Sequence, residues 1–338
     1  MKRNMKQWAA DQIAAKTKKA IPVLSFPSTS LMGISVDDLI RSSENQARGM
    51  KLIAERVDSG ASLSMMDLSV EAEAFGSQIQ FTEGEVPTVT GSIVKSLEDA
   101  EALNVPEVGR GRTGIYIEAI RKAVTLITDR PVFAGVIGPF SLAGRLMDVG
   151  EALVNCITEP EMVHAVLRKT TDFLKAYIKA YKKTGAGGVV VAEPLTGLLS
   201  PELAEIFSEP YMREITGAVQ DDEFIVVYHN CGSNTVLMID SILRTGAAGF
   251  HFGNAIKMAD MMPHIPMDRF AMGNVDPASQ FRNGAPGSVY EKTLQIMGEC
   301  CEKFPNFIIS SGCDIPPLSS WDNIDAFFKA VKAYYSGS

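Results

Sequence analysis

Six apolar runs of strand length, each closing on Gly, Asn, Pro, Asp or Cys and each followed by a longer helical stretch, set the strongest limit on how this chain can fold. They are VFAGVIGPF from Val132, GGVVVAEP from Gly187, FIVVYHNCG from Phe224, AAGFHFGN from Ala247, RFAMGNVDP from Arg269 and FIISSGCDIP from Phe307. Continuous apolar runs of this kind read as strands buried on both faces. IPVLSFP from Ile21 and SLSMMDLS from Ser62 bring the count to eight. Between them lie amphipathic segments such as 161–183, with Met162, Val166, Phe173, Leu174 and Ile178 near helical spacing. Segment 201–220 opens on Ser200 as a cap and Pro201 at the first helical position, and 235–243 and 285–303 behave alike. Strands alternating with helices make an α/β chain with a parallel sheet, and eight such units make a (β/α)8 TIM barrel. No Pro/Ser linker, charge block or repeat divides the chain. The expectation is therefore one domain over 1–338, with 1–20 as a leading helix and 80–114 as an irregular or hairpin insertion.

Composition narrows the class of function. The chain has 32 basic and 40 acidic residues, a net charge of −8, and no basic block suited to a phosphate backbone. No apolar run approaches the roughly 20 residues of a membrane span. The start carries basic residues without the apolar core of a secretory signal. Five scattered cysteines (156, 231, 300, 301 and 313) suit a reducing cytoplasm better than a disulfide framework. A soluble cytoplasmic protein that binds neither nucleic acid nor membrane is expected.

In a barrel, function sits on the loops at the C-terminal strand ends. The unusual polar residues fall there: Asp67, Glu193, His229, Cys231, His251, Asn274, Asp276, Cys313 and Asp314. His229 and Cys231 follow one strand and Cys313 follows the last, so their side chains can converge near the barrel axis. An imidazole and two thiolates suit Zn2+, and three protein ligands leave a fourth position open, as catalytic zinc requires. Two thiolates and a neutral imidazole neutralise the ion, so a thiol bound as thiolate makes the centre anionic and keeps its sulfur nucleophilic. The composition points to thiolate alkylation. The alternative is that the cysteines simply pack as small apolar groups.

The HNCG and SSGCDIP pair resembles the uroporphyrinogen decarboxylase superfamily, specifically its zinc-dependent corrinoid methyltransferases, near the methylcobalamin:coenzyme M enzymes. MDLSVEAEAFGSQIQFTEGEVPTV from Met66, VVVAEP from Val189 and FHFGN from Phe250 extend the resemblance over nearly the whole chain. It implies zinc on His229, Cys231 and Cys313, and a methylated corrinoid (methylcobalamin) brought by a corrinoid-carrier protein. It also implies a small thiol such as coenzyme M as acceptor. The reverse direction, from a small O-, N- or S-methyl donor to cob(I)alamin, is the alternative, and a zinc- or corrinoid-binding module without catalysis ranks below both. Decarboxylases of the superfamily grip a many-carboxylate tetrapyrrole with an arginine-rich segment near the N-terminus. VLSFPSTSLMG stands here in its place without an arginine, which disfavours that activity.

The remaining residues carry narrower expectations. Glu193 either fills the open zinc position, takes the thiol proton, or pairs with an arginine. Asp67 is expected to orient the zinc ligands from behind. Glu71 and Glu73, two apart on a helix, cannot share a face, so at most one points inward. Asn274 and Asp276 are candidates to bind the corrinoid edge or to form a turn, and His251 is a candidate at the mouth. His164, His264, Cys156, Cys300 and Cys301 read as structural. GAGGVVV from Gly185 precedes a strand instead of following one, so it fails as a dinucleotide-binding fingerprint.

Overall fold

The computed structural model describes residues 3–337. Its nine strands are β1 (Ser62–Leu63), β2 (Gln78–Gln80), β3 (Thr88–Thr90), β4 (Val132–Ile137), β5 (Gly188–Ala192), β6 (Ile225–Asn230), β7 (Gly249–Phe252), β8 (Phe270–Val275) and β9 (Phe307–Ser311). Seven of them form one parallel sheet in the order β1-β4-β5-β6-β7-β8-β9, a curled TIM-barrel-like array with helices packed around it. β2 and β3 pair antiparallel outside it.

The expected first strand is the exception. Residues 20–24 lie between β9 and the chain before β1 but form no strand, since Pro22 has no N–H to offer a ladder. Ile21 N–H donates to the Ile309 carbonyl, and Gly60 N–H to that of Ala20. Serines close the rest of the seam. Val23 N–H donates to Ser311 Oγ at 3.0 Å, and the Ser310 hydroxyl donates to the Ile21 carbonyl at 2.7 Å. β1 is likewise short, and Ser64 Oγ continues its pairing by accepting Gly135 N–H.

Side chains alternate across each strand, so one face of the sheet turns to the barrel axis. Leu63, Phe133, Val190, Ala192, Ile225, Val227, Phe270, Met272 and Ile308 form that interior cluster, and their odd or even neighbours pack under the helices. Gly249 is required inside, because a Cβ there would meet the Phe270 ring at 2.2 Å. Helix Met5–Ala14, the predicted leading helix, plugs the N-terminal end: the Trp8 ring lies 5.7 Å from Phe133 and 5.9 Å from Phe270. Residues 1 and 2 of the predicted segment lie outside the described residues.

Two other boundaries differ from the expectation. The segment expected to run as one helix over 201–220 is two, Pro201–Phe207 and Glu209–Val219, since Pro210 cannot supply the N–H that a continuous helix needs. The insertion at 80–114 begins earlier, at the β2–β3 hairpin, and ends in helix Thr113–Leu126. Among the described residues no helix is long and apolar enough to cross a membrane.

Trp8 closes the barrel floor with a large buried ring, so Trp8→Ala is expected to destabilise the fold by about 3–5 kcal/mol. Urea unfolding of the two proteins checks this, and an unchanged midpoint would mean that the leading helix is not part of the core.

Candidate metal centre

The alternation that buries Ile225 and Val227 continues past the end of β6 and turns His229 and Cys231 toward the axis. Across the mouth, β9 ends at Ser311, and Gly312 carries the chain to Cys313. Gly312 N–H is held by the Val275 carbonyl at 2.7 Å. The result is a direct contact, with Cys313 Sγ 3.6 Å from His229 Nε2. A sulfur at about 2.3 Å and a nitrogen at about 2.0 Å from one tetrahedral ion would stand about 3.5 Å apart. Cys231 lies in hydrogen-bond contact with Cys313 and His229. Its thiol is pushed well below the ordinary range, chiefly by the Cys313 hydrogen bond, while that contact and burial push Cys313 up. Among the described residues, no three His, Cys, Asp or Glu side chains stand as a ready-made metal cage. The fit to zinc rests on the kind of donor and on the His229–Cys313 spacing.

The tautomers favour ligation. His229 Nδ1 faces the His251 carbonyl at 3.2 Å and must donate to it, which leaves the Nε2 lone pair toward Cys313. His251 is fully buried beneath His229, its ring centroid 4.6 Å away, and burial pushes its pKa down to about 3, so it is neutral.

Other predicted residues go elsewhere. Ala192 belongs to the interior, so Glu193 turns outward. Its carboxylate accepts from Phe140 N–H at 2.9 Å, Ser141 N–H at 3.0 Å, Ser141 Oγ at 2.7 Å and Thr196 Oγ1 at 3.2 Å. This places Glu193 on the first turn of helix Pro139–Met147, where four donors hold its carboxylate. Burial raises its pKa to about 7 against these hydrogen bonds. Asp67 joins a buried network: it accepts from Arg112, from Tyr116 Oη at 2.8 Å and from Ser69 Oγ at 2.5 Å. Arg112 also donates to Glu73 at 2.6 Å. Asn274 donates to the Gly253 and Ile256 carbonyls, and Asp276 caps the turn that follows by accepting from Ala278 and Ser279. Both line a cavity of about 470 Å³ beside helix Pro286–Cys300.

Arg112 carries no signal in the sequence, lying in an insertion without periodicity. The carboxyls of Asp314 and of Glu71, the latter a lesser candidate beside Asp67, are also buried. Asp314, next to Cys313, accepts from Met66 N–H at 2.8 Å, and burial pushes its pKa up to about 8. Glu71 accepts from Ile137 N–H at 3.1 Å, its other oxygen has no partner, and burial raises its pKa to about 8. Glu73 faces Arg112 instead, so the two helical neighbours do diverge.

A carboxyl whose pKa rises on folding stabilises the protein at low pH and loses that contribution as pH climbs through the folded value. Glu71→Gln, which stays neutral, should therefore gain on the wild type by about 1.4 kcal/mol per pH unit between roughly pH 5 and pH 8. Urea midpoints at several pH values read this difference. Parallel curves would show that Glu71 is ionised in the fold.

Comparison with known proteins identifies the family. The family model for uroporphyrinogen decarboxylase (URO-D) matches residues 18–334. A methylcobamide:CoM methyltransferase, MtbA, of Methanosarcina acetivorans is 28% identical over 277 residues, covering 79% of this chain and 78% of that protein. A methylated-thiol–coenzyme M methyltransferase of Methanosarcina mazei is 25% identical over 280 residues, 80% of this chain and 72% of that one. A uroporphyrinogen decarboxylase of Desulfotalea psychrophila is 28% identical over 228 residues, 64% of each. A solved methyltransferase from Methanosarcina mazei superposes with a TM-score of 0.85 at 21% identity, over 98% of this chain and 99% of that one. With its barrel and its family match both running nearly end to end, this chain belongs to the uroporphyrinogen decarboxylase (URO-D) family.

Proposed function

We propose that this protein, as one (β/α)8 domain over 1–338, moves a methyl group from a methylated corrinoid on a partner protein to a small thiol. The observation that carries the reading is the His229–Cys313 contact at 3.6 Å with Cys231 against it, at the ends of two strands. These three residues would hold a zinc ion. The chemistry such an ion supplies is deprotonation of an incoming thiol, which stays nucleophilic because two thiolates have already neutralised the metal charge.

The chain's own residues do the rest. His229 presents a bare Nε2 because its other nitrogen donates to His251. Cys231 is readily ionised beside Cys313. The barrel mouth orients the thiol and keeps water from the reacting pair. A sulfur–carbon bond forms as the methyl–cobalt bond of the partner's corrinoid breaks with its electron pair left on cobalt. The thiol proton leaves to solvent, since Glu193 is turned away. Asp276, half-buried at the rim, is a candidate to meet the corrinoid edge, whereas Asn274 and His251 are engaged within the protein. The names of the relatives support a corrinoid donor and a thiol acceptor of the coenzyme M class. Such chemistry suits the reducing cytoplasm.

Two other directions are weaker. The relative that acts on methylated thiols favours, as a second reading, transfer from a methylated donor to the corrinoid. Porphyrinogen decarboxylation, which the name of one relative suggests, is disfavoured because residues 23–33 carry no guanidinium for a substrate with many carboxylates.

The wild type is expected to carry about one zinc per chain and to methylate simple thiols from methylcobalamin. Cys313→Ala should lose the metal and slow transfer by roughly 100-fold or more, the equivalent of at least about 2.7 kcal/mol. Metal analysis with a methyl-transfer assay checks both. Zinc without thiol methylation selects the reverse direction, and no zinc under reducing, metal-replete conditions contradicts the site.

A further inference from the structure

We infer that His251 is a positioning residue that holds the two halves of the donor set in register across the barrel, an inference that rests on the zinc reading above. The donors come from β6 and β9, which are separated in the sheet by β7 and β8. Neighbouring strands lie about 4.8 Å apart, so no sheet hydrogen bond links these two ends directly. His251 stands on β7, opposite His229 in the ladder.

Three contacts radiate from it. Its carbonyl accepts the His229 Nδ1–H at 3.2 Å, which fixes the ligating tautomer. Its ring lies against the His229 ring, with centroids 4.6 Å apart and planes inclined at 33°. Its Nε2–H reaches over to β9 and donates to the Ser311 carbonyl at 2.7 Å, with Ser310 Oγ at 3.2 Å. Ser311 is two residues before Cys313. A single buried imidazole thus touches the first donor and ties down the strand that delivers the third.

This role is distinct from facing a ligand. His251 has no exposed surface, and His229 lies between it and the sulfur atoms' side of the site. The tautomer of His251 is itself determined, because a carbonyl accepts from Nε2 and only an N–H can answer it. Its Nδ1 is buried with no partner among the described residues. With Nδ1 unpaired, the contacts this ring makes are the His229 stack and the bond to Ser311.

The test compares wild type, His251→Phe and His251→Gln. Phenylalanine keeps the stacked volume and leaves the Ser311 carbonyl unpaired, while the glutamine amide can restore that donor. Zinc affinity is read by competition with a chromophoric chelator. Separately, the backbone 15N–1H spectrum of the metal-free protein reads the Gly312 and Cys313 amides, just past the Ser311 carbonyl that His251 holds. The expected result is a 10- to 100-fold loss of zinc affinity in His251→Phe, typical of residues that orient a ligand from behind. The Gly312 and Cys313 resonances should move in His251→Phe, and His251→Gln, which restores a donor to Ser311, should recover both properties. Wild-type affinity and unmoved Cys313 resonances in His251→Phe would overturn the inference. So would equal losses in both variants that follow a fall in the thermal stability of the metal-free protein. A wild type that takes up no zinc while its Cys313 amide still depends on His251 would sink the metal reading and leave the positioning role standing. If His251→Phe fails to fold, His251→Gln against wild type decides by the same two readouts, retention of both supporting the role and loss of both overturning it.

Discussion

The proposed chemistry at the mouth depends on two strand ends, β6 and β9, being held at one level across a curved sheet. Neither end could supply the donor set alone. β6 contributes His229 and Cys231 because its inward face repeats every second residue, and β9 contributes Cys313 because Gly312 lets the chain turn back over the axis. A Cβ on Gly312 would meet Asn254 at 2.8 Å, so this turn is specified by the absence of a side chain. Gly197 and Gly232 do the same between the loops after β5 and β6, where a Cβ on Gly197 would lie 2.6 Å from the Gly232 Cα. Close backbone packing beside Cys231 limits how far that loop can shift when a ligand arrives.

The charges around this centre follow one rule. A group buried without a partner is kept neutral, and a group kept charged is given one. Asp67 is fully paired by Arg112, Tyr116 and Ser69, and the Arg112 side chain is only 4% exposed. Neither Glu71 nor Asp314 forms an ion pair among the described residues, and burial raises both to about 8, in Glu71 against the pull of Arg112. The buried Asp67–Arg112 pair costs desolvation and is poor evidence of net stability. Its effect is to fasten the insertion that precedes helix Thr113–Leu126 to the loop after β1.

Much of this was legible in the residues, and the failures have physical causes. The strand ends could be found because every buried parallel strand leaves an apolar run with a polar stop. His229 and Cys231 were legible as a pair because a spacing of two keeps one face of a strand. The same rule, applied to β5, carries the signal that Glu193 faces away from the site, since Ala192 is the residue in register with His229. The first strand failed because Pro22 removes a ladder donor while leaving the apolar pattern intact. Arg112 was out of reach. Its partner Asp67 lies 45 residues away, and the insertion that delivers it has no period from which a facing direction can be read.

In the proposed centre, His229, Cys231 and Cys313 form a three-ligand site with one place left for a thiol. X-ray absorption at the zinc edge of the purified protein, before and after addition of a small thiol, reads that shell. Two sulfurs at about 2.3 Å and one nitrogen at about 2.0 Å are expected from the protein, with a third sulfur appearing when the thiol binds. A closed four-ligand shell that does not change with thiol, or a shell of nitrogen and oxygen alone, would contradict it.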